Sequence, residues 1–387
     1  MGRMIYLDNS ATSFPKPEEV YTFMDGFWRT RGVNPGRSGF DLGREAGAFV
    51  DDTRALLTGL FNGTDPDRLC FGNNATDALN LVINGVLGEG DHVVTTNLEH
   101  NSVLRPLEHL RRNRGVEVDH VPCDGNGFVD PDDIEGCFRP NTRLVIVNHA
   151  SNVIGTIQPI KEIGARTRAA GIAFAVDASQ SAGVVPIDVE EMNVDVVVFT
   201  GHKSLMGPTG IGGLYVREGI EIELTRAGGT GVRSAQRTHL EEYPYRLEYG
   251  TINLLGVAGL NAGVRWVLDE GIDDIHEREM KLVTRLRDGV REIPGVTTYC
   301  QDDLANHIAV FLFNINGFEA AQTSPLFDVD HEIACRTGLH CAPLVHDHLG
   351  TTAIGGAVRF SPGPFTTEAH IDSAIAAIED VASMRNP

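Results

Sequence analysis

Six short apolar runs, separated by stretches each long enough for a helix, constrain this 387-residue chain more than any other feature. They are His92 to Thr95, Val116 to Val121, Leu144 to Val147, Ile172 to Val176, Val194 to Phe199 and Gly212 to Val216. Runs of this length with crossover-sized connections predict an α/β fold, with a mainly parallel sheet between helices. Leu79, Val82, Ile83, Val86 and Leu87 recur at three- and four-residue spacing, an amphipathic helix over 76–87. Pro15 to Arg29 also reads as a helix, whereas Gly32 to Gly39 is too rich in glycine for either regular element. Beyond about Ala262 the pattern changes to a long helix, weaker strands and a final helix with Ile371, Ile375 and Ile378 on one face. The expected organisation is an N-terminal segment 1–14, a large domain 15–261 and a smaller α+β C-terminal domain 262–387.

The formal charge of −21 argues against nucleic acid or an anionic membrane surface as the main partner. No apolar run approaches the ~18 residues of a membrane helix. The first residues pass into Ile5-Tyr6-Leu7-Asp8-Asn9 without the apolar core of a signal peptide. Six cysteines include no CxxC pair, so free thiols and a cytoplasmic location are expected.

Side chains at the carboxyl ends of neighbouring parallel strands meet in one crevice. By that rule Asp177, after Ile172–Val176, and Lys203, after Val194–Phe199, face each other. Two such residues alone also describe a buried ion pair with no ligand. Pyridoxal phosphate uses the same pair differently: the lysine anchors its aldehyde and the acid keeps its pyridine nitrogen protonated. Gly72-Asn73-Asn74-Ala75-Thr76 opens the amphipathic helix and suits a phosphate, or serves as a plain N-cap. Thr200 and His202 flank the lysine and can donate to the same phosphate. His100 follows the 92–95 run and can stack on a flat ring or relay a proton, or be an ordinary loop histidine. Asn152 and Gln180 follow two further strands and can hydrogen-bond the ring oxygen.

The segment from His331 to Pro343 carries the other distinctive chemistry. Its histidines and cysteines lack the paired CxxC or HxxxH spacing of zinc sites, so no metal is expected. Cys341 lies among glycine and proline beside His340 and near Arg336, surroundings that favour a thiolate. A buried structural cysteine is the alternative. Arg359, in Val358-Arg359-Phe360-Ser361, can hold a carboxylate in two parallel hydrogen bonds or make a surface ion pair.

Together these segments resemble the class V aminotransferase superfamily, and within it the cysteine desulfurases of Suf type. The resemblance runs nearly end to end, from Tyr6–Thr12 to Val358–Ser361. It is carried by Glu99-His100-Asn101, Ser151–Gly155, Val176–Gln180, Gly201-His202-Lys203, Gly207–Gly212 and Arg336–Ala342. It implies the aspartate aminotransferase-like fold of pyridoxal phosphate-dependent transferases, with a seven-stranded large-domain sheet. It also implies Lys203 as the Schiff-base lysine, Asp177 on the pyridine nitrogen, His100 on the ring and Gln180 on the ring oxygen. Ala75, Thr76, Thr200 and His202 fall to the phosphate, and Asn152, Arg359 and Asn34 to the substrate. Thr251, in Gly250–Asn253, is implied to reach the phosphate of an opposite subunit in a homodimer with shared active sites. Cys341 matches the persulfide-forming nucleophile, and His100 the group that takes the substrate thiol proton. The expected reaction turns L-cysteine into L-alanine with transfer of the sulfur to an enzyme cysteine persulfide, and a sulfur-acceptor protein is a candidate partner. Selenocysteine lyase, another carbon–sulfur lyase and a non-catalytic sulfur-carrier scaffold are the alternatives. Three departures stand out: Leu339 where the Suf pattern has a histidine, the extra thiol Cys335, and an altered stretch from Glu319 to Asp330.

Overall fold

A computed structural model describes residues 4–35, 40–300 and 302–384. The chain begins with β1 (Ile5–Tyr6). It then alternates helices with β2 (Leu69–Gly72), β3 (His92–Thr96), β4 (Glu117–Val121), β5 (Thr142–Asn148), β6 (Ala173–Asp177), β7 (Val196–Thr200) and β8 (Gly212–Val216). These seven later strands form one sheet in the order β2-β8-β7-β6-β5-β3-β4. All neighbours are parallel except at β8, which runs antiparallel to both β7 and β2. Every residue of β3, β7 and β8 is buried, the pattern of a sheet covered on both faces. Val196, Val197 and Val198 are almost wholly enclosed, each contributing roughly 1.5–3 kcal/mol by its removal from water.

Beyond β8 come β9 (Val296–Thr298), β10 (Phe311–Ile315), β11 (Ile333–Ala334), β12 (Arg336–Gly338) and β13 (Ala357–Phe360). A second, antiparallel sheet has the order β12-β13-β10-β9. Its core is aromatic: Phe313 and Phe360 meet edge to face at 5.1 Å, and Phe327 joins both. The helix Glu368–Ser383 covers this core with Ile371 and Ile378, while Ile375 on the same face packs at its margin. β1 pairs in parallel with β11 as a separate two-stranded sheet, and Ile5 and Leu7 pack into the same core as the four-stranded one.

Two of the helices that frame the site begin where a side chain satisfies an open amide. Asn74 caps Ala75–Val86 by accepting from the Asp77 amide at 2.9 Å, and His100 caps Asn101–Arg114. The 15–29 helix expectation becomes Glu18–Arg31, starting after Pro17. The stretch Ala320–His331 is a helix despite Pro325. β2 was absent from the six sequence runs because Leu69-Cys70-Phe71-Gly72 is short and holds no β-branched residue.

Candidate active site

The parallel strands deliver their carboxyl ends to one crevice. Asn148 at the end of β5 is the register partner of Asp177 at the end of β6, and Lys203 lies just past β7. A pocket of about 190 Å³ opens there. Lys203, Asp177, His100, Gln180, Ala75 and Thr76 line it, as do Thr200, His202, Asn152 and Arg359. Asn34 and Thr251 do not: both are exposed and outside the lining of their own chain's pocket. Residues 36–39 of the glycine-rich loop beside Asn34 lie outside the described residues.

Asp177 and Lys203 do not form a direct ion pair. Asp177 accepts from the Ser179 amide at 2.9 Å. Burial pushes the Lys203 amine down to about 8; Asp177 opposes this, and Arg359 and Arg336 add to it. The peptide that carries the lysine is gripped by the N-terminal segment. The His202 carbonyl accepts from Thr12 Oγ1 at 3.0 Å and Lys16 Nζ at 2.7 Å, and the Lys203 carbonyl from Ser13 Oγ at 2.8 Å. Desolvation pushes Lys16 down to about 8.

Polar atoms with no partner among the described residues mark where a ligand would bind. Thr200 Oγ1, His202 Nδ1 and Ser179 Oγ are buried and unpaired, all on residues lining the pocket. With the N-terminus of Ala75–Val86 they form a donor set for a phosphate, and the residues fit pyridoxal phosphate. Gly212 lets this helix approach: a Cβ there would lie 2.8 Å from the Phe199 carbonyl oxygen and 3.0 Å from Asn74 Cα.

His100 Nδ1 accepts from the Ser102 amide at 3.1 Å and contacts Ser102 Oγ at 2.7 Å. Burial, reinforced by Lys203, pushes this imidazole down to about 4. At neutral pH it is therefore uncharged with its proton on Nε2, so the open nitrogen is a donor. Taking a proton from a substrate thiol then requires the Ser102 contact to be released.

Glu99 is enclosed below the pocket. One oxygen accepts from Thr96 Oγ1 at 2.9 Å and the Asn148 amide at 3.0 Å, and the other has no partner. Burial, aided by the charge of Asp177, raises this carboxyl to about 8, so it is a neutral acid at pH 7.

The smaller sheet supplies the other wall. Arg336 of β12 and Arg359 of β13 are register partners, two like charges opposite each other at one pocket. Arg336 Nη2 lies 3.1 Å from the Cys341 sulfur. Cys341 sits outside the lining, on a turn in which both it and His340 adopt left-handed backbone (φ 60° and 48°). The turn is anchored on three sides. Asn101 donates its amide to the Cys341 carbonyl at 2.7 Å, and Asn152 Nδ2 donates to the His340 carbonyl at 2.8 Å. His340 Nδ1 meets His346 Nε2 at 3.2 Å, and His346 Nδ1 meets Thr351 Oγ1 at 2.8 Å.

Cys335 packs instead against the small-sheet core, where burial pushes its thiol up to about 12. Among the described residues no cluster of three or more His, Cys, Asp or Glu side chains is arranged to hold a metal, and no helix is long and apolar enough to cross a membrane. A larger open cleft of about 670 Å³ lies elsewhere, but its Arg226 is already paired with Asp77.

Sequence reasoning missed Asp8, Glu99, Asn148 and Ser179. The strand-end rule that located Asp177 also locates Asn148, and Ser179 is two residues beyond. Glu99 and Asp8 show themselves only through burial and pairing.

The family model for class-V aminotransferases matches residues 5–373. A probable cysteine desulfurase of Methanothermobacter thermautotrophicus is 34% identical, over 98% of this chain and 95% of the relative. The apo structure of a cysteine desulfurase from Thermococcus onnurineus superposes with a TM-score of 0.91 at 33% identity, covering 98% of this chain and 95% of that one. The S-sulfonic acid form of the cysteine desulfurase CsdA from Escherichia coli gives 0.88 at 27% identity, covering 98% and 95%.

Proposed function

The chain belongs to the class-V aminotransferase family, and from that premise we propose that it is a pyridoxal phosphate-dependent cysteine desulfurase. The observation that carries this is the Cys341 sulfur held 3.1 Å from Arg336 at the rim of the pocket that holds Lys203 and Asp177. When bound, pyridoxal phosphate supplies an electron sink for the pair left as the substrate Cα loses its proton. Lys203 would anchor the cofactor and would move that proton; an amine near 8 is partly neutral at working pH and able to act as a base. Asp177 holds the pyridine nitrogen cationic, and Gln180 serves the ring oxygen. Thr76, Thr200, His202 and Ser179 hold the phosphate beside the Ala75 helix terminus. Arg359 and Asn152 orient the substrate carboxylate.

Cys341, as thiolate, then attacks the substrate sulfur: an S–S bond forms and the substrate C–S bond breaks. The C–S electron pair stays with Cβ, which takes up a proton equivalent to the one given up by the substrate thiol. Lys203 returns its proton to Cα, and alanine leaves with the enzyme carrying a persulfide. The exposed Thr251 completes the phosphate site of a second copy, so the working form is a homodimer with shared sites.

The direct test incubates the purified yellow protein with L-cysteine and measures alanine, sulfide and the mass of the Cys341 peptide, which should gain one sulfur. Cys341→Ser should keep the visible cofactor band and lose persulfide formation. Unchanged turnover in that variant removes Cys341 as nucleophile.

A further inference from the structure

We propose that Asp8 competes with the substrate's carboxylate for Arg359, holding the guanidinium while no amino acid is bound and swinging aside when one enters. This rests on the reading that Arg359 takes that carboxylate. Arg359 is fully enclosed and faces its register partner Arg336, so the β12–β13 pair presents two cations to one pocket. A buried guanidinium without a counter-charge is costly. Asp8 supplies one: its Oδ1 accepts from Arg359 Nη2 at 2.5 Å, while Nη1 donates to the Asn152 carbonyl at 2.8 Å and Nε has no partner.

The exchange needs only a side-chain rotation. Asp8 is pinned by its neighbours, with the Leu7 amide on the Ala334 carbonyl at 2.9 Å and the Asn9 amide on the Ser361 carbonyl at 3.2 Å. Its side chain is 18% exposed, so the displaced carboxylate turns toward water rather than into the core. An α-carboxylate carries the same charge and the same two acceptors, and so replaces Asp8 without leaving the guanidinium bare. The apparent affinity for a carboxylate-bearing ligand is lowered by the fraction of molecules in which Asp8 holds the arginine. An amine without a carboxylate never meets this competition.

The cofactor-loaded protein and its Asp8→Asn variant are titrated with L-alanine and with ethylamine, which is L-alanine without the carboxylate, and binding is read from the visible absorbance. Asp8→Asn should tighten L-alanine about three- to tenfold and leave ethylamine within about twofold. Acetate should raise the melting temperature of the variant and not of the parent, by filling the vacated place on Arg359. Weaker L-alanine binding in Asp8→Asn overturns the proposal, because Asp8 would then orient Arg359 rather than compete for it. If Asp8→Asn does not fold, Asp8→Glu is titrated with the same pair, and an unchanged ratio of the two affinities overturns the proposal. Arg359→Gln separates the premise: equal weakening of L-alanine and ethylamine removes the carboxylate role of Arg359 itself.

Discussion

The guanidinium of Arg336 approaches the sulfur of Cys341 at 3.1 Å, from the strand directly preceding the turn that carries the thiol. The guanidinium faces the sulfur as a charge-assisted donor and holds it in place as a nucleophile. Arg336→Gln is expected to slow alkylation of Cys341 by iodoacetamide at neutral pH about five- to tenfold, measured by mass spectrometry of the Cys341 peptide. An unchanged rate would leave Arg336 with no part in activating the sulfur.

Glu99 and Glu279 are enclosed carboxyls that burial pushes up to about 8. The native protein therefore keeps protons that the unfolded chain has already released above the ordinary carboxylate range. Their stabilising contribution is complete below about pH 4, falls as the pH rises, and is gone above about pH 8. Glu99→Gln mimics the neutral acid and removes its share of that slope. The melting temperature of the variant minus that of the parent should rise by ~2 °C or more between pH 5 and pH 8. A flat difference in differential scanning fluorimetry would mean that Glu99 is ionised in the fold.

Gly212, on β8 between β2 and β7, is where the large sheet meets the cap of the Ala75–Val86 helix. Gly212→Ala places a methyl 2.8 Å from the Phe199 carbonyl oxygen and 3.0 Å from Asn74 Cα, so the helix terminus must shift. Cofactor binding should weaken about tenfold, read as pyridoxal phosphate lost on dialysis, with far-ultraviolet circular dichroism unchanged. Retention equal to the parent's would separate this helix terminus from the phosphate.

His346 is completely buried and links His340 to Thr351. His346→Phe keeps the stacked ring and removes both hydrogen bonds, at a cost of about 1–3 kcal/mol for the partners left unpaired. The urea midpoint should fall, and hydrogen exchange at the Ala342 amide, which closes the turn onto the Leu339 carbonyl at 2.9 Å, should speed up. Unaltered exchange would show that the turn holds without the imidazole pair.

The large sheet was legible because its strands are valine-rich and fully covered, so each announces itself as an apolar run. Asp177 and Lys203 were legible because they interrupt or follow such runs at the carboxyl end. β2 escaped because four residues without a β-branched side chain carry no such signal. Asp8 was hidden for a different reason: its partner is 351 positions away, and no local pattern encodes a pairing of that span. The tautomer of His100 was equally out of reach, since it depends on which amide its Nδ1 caps.

The pocket is closed by opposite ends of the chain: Ile5 pairs with Ile333, Tyr6 with Ala334, and Asp8 with Arg359. On the ribosome, a nascent chain stalled at residue 300 would already hold Lys203 and Asp177, yet lack Arg336, Cys341 and Arg359. Ile5 and Tyr6 must wait, unpaired, until Ile333 and Ala334 emerge. Chemistry at this site therefore becomes available only once Arg359 has been made, and a translation product abandoned between Lys203 and Arg336 carries the lysine and its acid without the sulfur nucleophile.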